Sequence, residues 1–191
     1  PVTSLTVKKM TANELMRLVH EAATVFALRG EQAYPEFRKP GSKWFHDQTY
    51  FFVWDLEGNR VFHAANPAGE GRNMRDVKDV LGRPWGKMFL DAAASPTGEG
   101  WVHYLYPEPG DIFPAWKSTF LKKVVFPSGK EFVIGCGIYQ MDMDRTFIED
   151  VVDRAVAQVE KNGAAGFPLF RDKSGPFLFI DTYVFIDSPD G

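Results

Sequence analysis

The chain has 191 residues, of which 45% are hydrophobic and 25% are charged, and its formal net charge is −3. These values are typical of a folded globular protein with a buried core, and they exclude a disordered or fibrous chain. Charges of both signs are interleaved along the sequence, so no basic stripe favours nucleic acid and no polybasic segment favours an anionic membrane.

The apolar runs are short. Residues 50–54 and 132–134 are examples, far below the roughly 18–20 residues that span a bilayer. The chain opens on Pro1 rather than Met, so we expect that an N-terminal segment has been removed, either a signal peptide or a membrane anchor. The single Cys136 excludes an internal disulfide bond.

The first predicted element is an amphipathic helix of about 20 residues that ends near Gly30. Thr11 and Glu14 have the spacing of a capping box, which marks a helix start. Apolar residues follow at helical spacing: Leu15, Leu18, Val19, Ala22 and Phe26.

Five strands are predicted after this helix. Alternating apolar residues and turn signals place them at residues 50–55, 61–64, 100–106, 116–126 and 130–140. The stretch between the second and third strands is loop-rich, with short helices predicted around residues 75–81 and 86–94. The predicted fold class is therefore α+β, with an antiparallel sheet of about five strands and a long N-terminal helix.

An internal repeat links the two ends of the chain. Residues 30–58 recur 133 positions later as residues 163–191, with eight of 29 aligned positions identical. A second capping-box pattern at residues 146–149 predicts a helix that ends near Gly163. We therefore predict a first unit at 1–142, followed at 143–191 by the helix and first strand of a truncated second unit. Either the native chain continues into that unit, or the tail completes a neighbour's sheet by strand exchange.

No catalytic or metal-binding motif is found in the sequence. The four histidines lie singly, without the spacings that bind zinc or haem. Cys136 lies between two glycines in a predicted strand, which favours a buried, inert thiol over a nucleophile. An enzyme that uses His63 or His103 as a general base remains an alternative function.

Aromatic and cationic residues provide a candidate binding site. Trp101 and His103 share one face of a predicted strand, because side chains alternate along a strand. Lys117 opens the next strand beside Trp116, and we expect Lys117 and Trp101 to line one pocket that holds a negatively charged ligand. In the alternative, the tryptophans belong to the core and Lys117 extends to solvent.

Six segments together resemble the single Cache domains of bacterial extracytoplasmic sensors. They are YFFVWDLEG at 50–58, VFHAANP at 61–67, GRN at 71–73, GEGWVHY at 98–104, WKSTF at 116–120 and VIGCGIY at 133–139. The resemblance spans residues 11–140, and residues 144–191 resemble the start of another such domain. It implies a PAS-like fold in which a pocket on the sheet binds small metabolites, often carboxylates or amino acids.

The resemblance implies a periplasmic, ligand-binding sensor module of a signal-transduction protein. Membrane anchoring of the full-length protein and a homodimeric state are further expectations. Neither a cofactor nor an enzymatic activity is expected. The residues expected to bind the ligand are Tyr50, Phe52, His63, Asn73, Trp101, His103, Trp116, Lys117 and Tyr139. A ligand-free dimerisation module, with the long helix as its contact surface, is a further alternative.

Overall fold

The structure, a computed structural model, describes residues 9–190, so the expectation about Pro1 lies outside the described residues. The helices are α1 (Ala12–Arg29), α2 (Tyr34–Phe37), α3 (Trp85–Ala93), α4 (Arg145–Asn162) and α5 (Phe167–Arg171). The strands are β1 (Phe51–Asp55), β2 (Arg60–His63), β3 (Glu99–Pro107), β4 (Pro114–Val125), β5 (Glu131–Tyr139), β6 (Leu178–Phe179) and β7 (Thr182–Tyr183). Short 3-10 helices lie at Gly30–Ala33, Pro67–Gly69 and Gly163–Gly166.

Helix α1 begins with the predicted capping box. The Glu14 backbone N–H donates to Thr11 Oγ1 at 3.2 Å, and the Thr11 backbone N–H donates to Glu14 Oε2 at 2.8 Å. These bonds satisfy two amides that a helix start leaves without intrahelical partners. The apolar side of α1, including Leu15, Val19 and Phe26, is fully buried against the sheet.

The sheet has five antiparallel strands in the order β2-β1-β5-β4-β3, so β2 and β3 are its edges. Helix α1 packs on one side, here called the α1 face, and helix α3 packs on the other, here called the α3 face. Side chains alternate between the two faces: Phe51 points to the α1 face, and Phe52 to the α3 face. The predicted α+β fold is confirmed.

Two predicted local features are wrong. Residues 75–81 form turns rather than a helix, because the Asp79 side chain accepts hydrogen bonds from the Leu81 and Arg83 backbone N–H groups. The second capping box does not form either. Helix α4 is capped by Asp144, whose Oδ1 accepts the Thr146 backbone N–H at 2.8 Å, so the helix starts before the predicted cap.

Cys136 lies in the middle strand β5 and points to the α1 face, where it is fully buried. Burial raises the pKa of its thiol to about 12, well above its ordinary value. The thiolate is the reactive form of cysteine, so we expect this thiol to stay inert in the folded protein.

The internal repeat is also a repeat of local structure. Helices α4 and α5 are joined by a 3-10 turn as α1 and α2 are, and Gly163 (φ 53°) has the backbone conformation of Gly30 (φ 54°). Both glycines end a helix at positive φ, which residues with a Cβ rarely adopt. The likeness weakens in the first strand predicted for the second unit, because β7 is only two residues long and Phe185 is exposed.

One side of α4 belongs to the core on the α1 face. Phe147 and Val151 are buried there, and the Phe147 ring lies edge-on to Trp101 with centroids 4.6 Å apart. Phe179 of β6 is also fully buried and stacks on His103 at 4.2 Å. The segment after residue 142 is therefore packed against the five-stranded sheet.

Candidate ligand-binding site

A small cavity lies on the α3 face, between the sheet and α3. Its volume is about 20 Å³. Its walls are aromatic and cationic side chains: Tyr50, Phe52, Trp54, Arg60, His63, Trp85, Phe89, Tyr104, Tyr106 and Lys117. A cavity of this volume holds about one water molecule, so a larger ligand requires a wall to move outward.

Lys117 extends from β4 into this cavity and is only 2% exposed. Its Nζ donates to the Tyr50 hydroxyl and lies 3.5 Å from the Tyr139 hydroxyl. The same ammonium lies 4.2 Å and 4.4 Å from the centroids of the Tyr50 and Tyr139 rings, within the range of cation–π attraction. The contacts around Lys117 are therefore aromatic hydroxyls and ring faces.

The neighbouring strand β5 makes room for this lysine through a glycine. A Cβ on Gly137 would lie 2.9 Å from Lys117 Cε and 2.1 Å from Thr119 Oγ1. Such distances are too short for any side chain, so the glycine is required for the lysine to lie flat over β5.

A second buried cation reaches the cavity from β2. Arg60 is 5% exposed, and its Nη2 contacts the Met74 sulfur at 3.6 Å. Its Nε has no hydrogen-bond partner in the described part of the chain. Gly69 allows this placement, because a Cβ there would lie 2.6 Å from Arg60 Nη1.

His63 is the third basic side chain of the cavity wall, and its ring is neutral. Its Nδ1 accepts the Asn66 backbone N–H at 2.9 Å, so the neutral ring carries its proton on Nε2. Burial lowers the pKa of His63 to about 3, and the positive charges of Arg60 and Lys117 act in the same direction.

The charges around the cavity are not balanced. Within residues 9–190, neither Lys117 nor Arg60 forms an ion pair with a carboxylate. The buried Trp54 Nε1 likewise has no hydrogen-bond partner. Because a buried charge is costly unless it is paired, these groups favour an anionic guest that accepts hydrogen bonds.

The structure brings together part of the predicted site. Tyr50, Phe52, His63 and Lys117 line the cavity, and Tyr139 adjoins it through its hydroxyl. Asn73 lies outside, because its side chain donates to the Glu57 carbonyl and to Asn59 Oδ1 at the surface.

The predicted pairing of Lys117 with Trp101 is wrong. In the β3–β4 register Lys117 lies opposite Tyr104, while Trp101 lies opposite Phe120. Trp101, His103 and Trp116 therefore lie on the α1-face side of the sheet, away from the cavity. Odd-numbered residues of β3 share a face with even-numbered residues of β4, and the register that sets this relation is fixed by pairing rather than by either strand alone.

Six cavity residues were missed as site residues: Trp54, Arg60, Trp85, Phe89, Tyr104 and Tyr106. Alternation along β3 would have identified Tyr104 and Tyr106 once the register with Lys117 was known. Trp85 and Phe89 are four residues apart on α3 and so share one side of that helix. No local signal marks Arg60 as buried.

A larger groove of about 810 Å³ lies between α1 and residues 46–49. Its walls include surface side chains of both charges, among them Lys9, Arg17 and Glu21. The charged side chains there lie at the surface, so we assign the candidate site to the smaller cavity, where two cations are buried with no carboxylate partner among residues 9–190.

Neither candidate histidine suits general-base chemistry. His103 is enclosed on the α1 face, where burial lowers its pKa well below the ordinary value and Ser118 Oγ lies 2.8 Å from Nδ1. A histidine–carboxylate pair does occur at the surface, between His20 and Glu99 at 2.9 Å, but Glu99 is shared with Lys122. In the part of the chain that the structure describes, no group of His, Cys, Asp and Glu side chains could hold a metal ion.

The sequence pattern of the Cache domain family matches residues 39–181. This chain belongs to the Cache domain family. It is 28% identical over 114 residues to the methyl-accepting chemotaxis protein McpP of Pseudomonas putida, a match that covers 60% of this chain and 20% of that protein. The chain thus spans about one fifth of the length of this curated relative.

Two solved structures share the fold. One is a Cache chemosensory domain studied for carboxylic acid recognition, with 24% identity, a TM-score of 0.55, and coverage of 67% of this chain and 92% of that one. The other is a methyl-accepting chemotaxis protein from Vibrio parahaemolyticus, with 23% identity, a TM-score of 0.51, and coverage of 69% and 90%. The predicted family and PAS-like fold are confirmed.

Proposed function

We propose that this Cache domain is the ligand-binding sensor module of an extracytoplasmic signal-transduction protein and that its cavity binds a small carboxylate. The observation that carries the proposal is the pair of buried cations, Lys117 and Arg60, without a carboxylate partner among residues 9–190. A ligand carboxylate would provide the missing negative charge through charge-assisted hydrogen bonds. Chemotaxis receptors among the relatives support the sensory role.

The charge pattern favours a simple carboxylate over an amino acid. An amino acid also carries an ammonium group, which usually binds a carboxylate or a cluster of carbonyl oxygens. The ten cavity-lining residues include no Asp or Glu, and Arg60 and Lys117 would repel a third positive charge. Because the cavity of about 20 Å³ must enlarge for any carboxylate, a short substituent on the carboxylate is favoured over a long one.

The alternative functions have less support. A general base must titrate near the working pH, whereas the pKa of His63 is lowered to about 3 and His103 is enclosed. A dimerisation module that uses the long helix must expose its apolar side, yet α1 buries that side against its own sheet.

Residues 9–190 include no helix with the length and apolar character needed to cross a bilayer.

Lys117→Met tests the proposal. We expect wild-type protein to gain thermal stability in a panel of acetate, propionate and succinate, because a ligand at 100 times its Kd adds about 2.7 kcal/mol to the unfolding free energy. The variant should lose this gain while its ligand-free melting temperature is unchanged or raised, since the substitution removes a buried charge that has no carboxylate partner among residues 9–190. Differential scanning fluorimetry measures both quantities.

Lys123→Met is the matched control. Lys123 lies on the same strand but pairs with Glu131 at the surface at 3.1 Å, so its loss should leave the carboxylate effect intact. An equal stabilisation of wild-type and Lys117→Met protein by the same carboxylate would remove Lys117 from the site.

We also propose that residues 143–191 open a second Cache-like unit, with α4 shared between the two. Five buried apolar residues of α1 have apolar equivalents 133 positions later on α4. Leu15, Val19, Ala22, Ala23 and Phe26 correspond to an apolar stripe formed by Ile148, Val152, Ala155, Val156 and Val159. Val152 and Val156 are 46% and 50% exposed, whereas the equivalent Val19 is fully buried. The stripe therefore has the pattern of a helix side on which a second sheet packs.

Substitution at equivalent positions tests this proposal. Val19→Lys should unfold the 191-residue chain or cost more than about 4 kcal/mol, because it buries a charge under α1. Val152→Lys should change the unfolding free energy by less than about 0.5 kcal/mol, as expected of an exposed site. A dimer in sedimentation that dissociates on Val152→Lys would instead show that a second copy of the chain covers the stripe.

A further inference from the structure

Arg83 lies at the edge of the sheet and contacts elements from both faces. Its Nε donates to the His103 carbonyl of edge strand β3 at 3.2 Å, and its Nη1 donates to the Leu178 carbonyl of β6. Its side chain is 1% exposed, and its Nε lies 4.0 Å from Asp79 Oδ2. One buried guanidinium thus joins the sheet to the C-terminal segment.

The same residue is joined to the wall of the cavity through its backbone. The Trp85 backbone N–H donates to the Arg83 carbonyl at 2.9 Å, at the start of α3. Trp85 and Phe89 of α3 line the cavity. A movement of the start of α3 therefore carries Arg83 with it.

Binding of a carboxylate requires such a movement. The cavity of about 20 Å³ holds about one water molecule, whereas acetate already has four non-hydrogen atoms. The walls formed by β1, β3 and β4 are held by the hydrogen-bond ladders of the sheet. Helix α3 has no strand ladder and is held mainly by side-chain packing, with the Gly86 backbone N–H donating to the Val77 carbonyl at 3.4 Å, so it is the wall that can move outward.

We propose that Arg83 couples filling of the cavity to release of the C-terminal segment at residues 177–184. Outward movement of α3 draws the guanidinium away from the Leu178 carbonyl and breaks the hydrogen bond between them. The adjacent Phe179 is then held by its stacking on His103 without that bond. The inference rests on the proposed function for its natural trigger, but the coupling is a property of the fold. By linkage, release of this segment favours the filled cavity by the same factor.

Hydrogen exchange of the full chain tests the coupling in two ways. Propionate is one trigger, and Gly86→Ala is a ligand-free trigger, because a Cβ on Gly86 would lie 1.8 Å from the Met74 carbonyl oxygen and force α3 to shift. Each should raise exchange at residues 177–184, including the Val184 amide bonded to the Phe177 carbonyl, by about fivefold or more.

In Arg83→Gln, exchange at residues 177–184 should be faster than in the wild-type protein before any trigger is applied. Neither propionate nor Gly86→Ala should raise it further. If Arg83 only stabilises the segment, Arg83→Gln should raise exchange before any trigger is applied but leave the response to both triggers intact. That result would overturn the proposal. Arg75→Gln is the control, since Arg75 lies in the same loop and donates to the Leu56 and Glu57 carbonyls at the surface. That variant should respond as wild type does.

The two proposals fail in different ways. If propionate neither shifts the melting temperature nor alters exchange while Gly86→Ala does, propionate binding is absent and the coupling stands. If Gly86→Ala does not raise exchange at residues 177–184 in a chain that retains Arg83, the coupling is wrong. It is also wrong if propionate binds to the wild-type protein without raising that exchange. Both conclusions hold whatever the behaviour of Arg83→Gln.

Discussion

We expect Phe147→Ala to lower the free energy of unfolding by about 3–5 kcal/mol, the usual cost of deleting a buried phenylalanine ring. Phe147 is fully buried, with ring centroids 4.6 Å from both Trp101 and His103. The loss combines the transfer free energy of the ring with the cavity left beneath α4, because β3 and α4 cannot close the gap fully. Chemical denaturation at pH 7.5 measures the difference.

Ile148→Ala is the matched control for this substitution. Ile148 follows Phe147 on the same helix but points away from the sheet and is 38% exposed, so its truncation should cost less than about 1 kcal/mol. If the two substitutions cost the same, α4 does not pack on the sheet as the structure has it.

The elements that the sequence predicts well are those with a strong local pattern. Helix α1 has a capping box at its start, a regular apolar side and a terminal glycine, and each of these signals acts within a few residues. The hairpin of β4 and β5 likewise follows from its turn, where the Phe126 backbone N–H donates to the Lys130 carbonyl. Local patterns therefore determine most of the fold.

The site depends on information that no single segment contains. Lys117 and Tyr50 meet because β1, β5 and β4 are adjacent in the sheet, an order that links strands distant along the chain. Trp101 was assigned to the wrong face relative to Lys117 because strand register decides which aromatic ring lies beside the lysine. Of the two buried cations, Lys117 was predicted as a site residue and Arg60 was not. Arg60 resembles a surface arginine in sequence and is buried only by tertiary packing.

We expect the protein to lose about 2.7 kcal/mol of stability between pH 7.5 and pH 5.5 through two buried histidines. Burial lowers the pKa of His63 to about 3 and that of His103 well below the ordinary value, whereas the unfolded chain has histidine pKa values near 6.5. The unfolded state therefore binds protons in this interval while the native state does not, and stability falls as pH falls. Each histidine contributes about 1.4 kcal/mol at pH 5.5.

Denaturant unfolding at pH 7.5, 6.5 and 5.5 measures this dependence. The interval ends above the range in which carboxylates with lowered pKa values, such as Glu99, are protonated. His63→Gln and His103→Gln cannot bind a proton, so each should reduce the loss by about half, to about 1.4 kcal/mol, whatever its own effect on stability. An unfolding free energy that is equal at pH 7.5 and pH 5.5, and that stays equal in both variants, would contradict the burial of the two histidine rings.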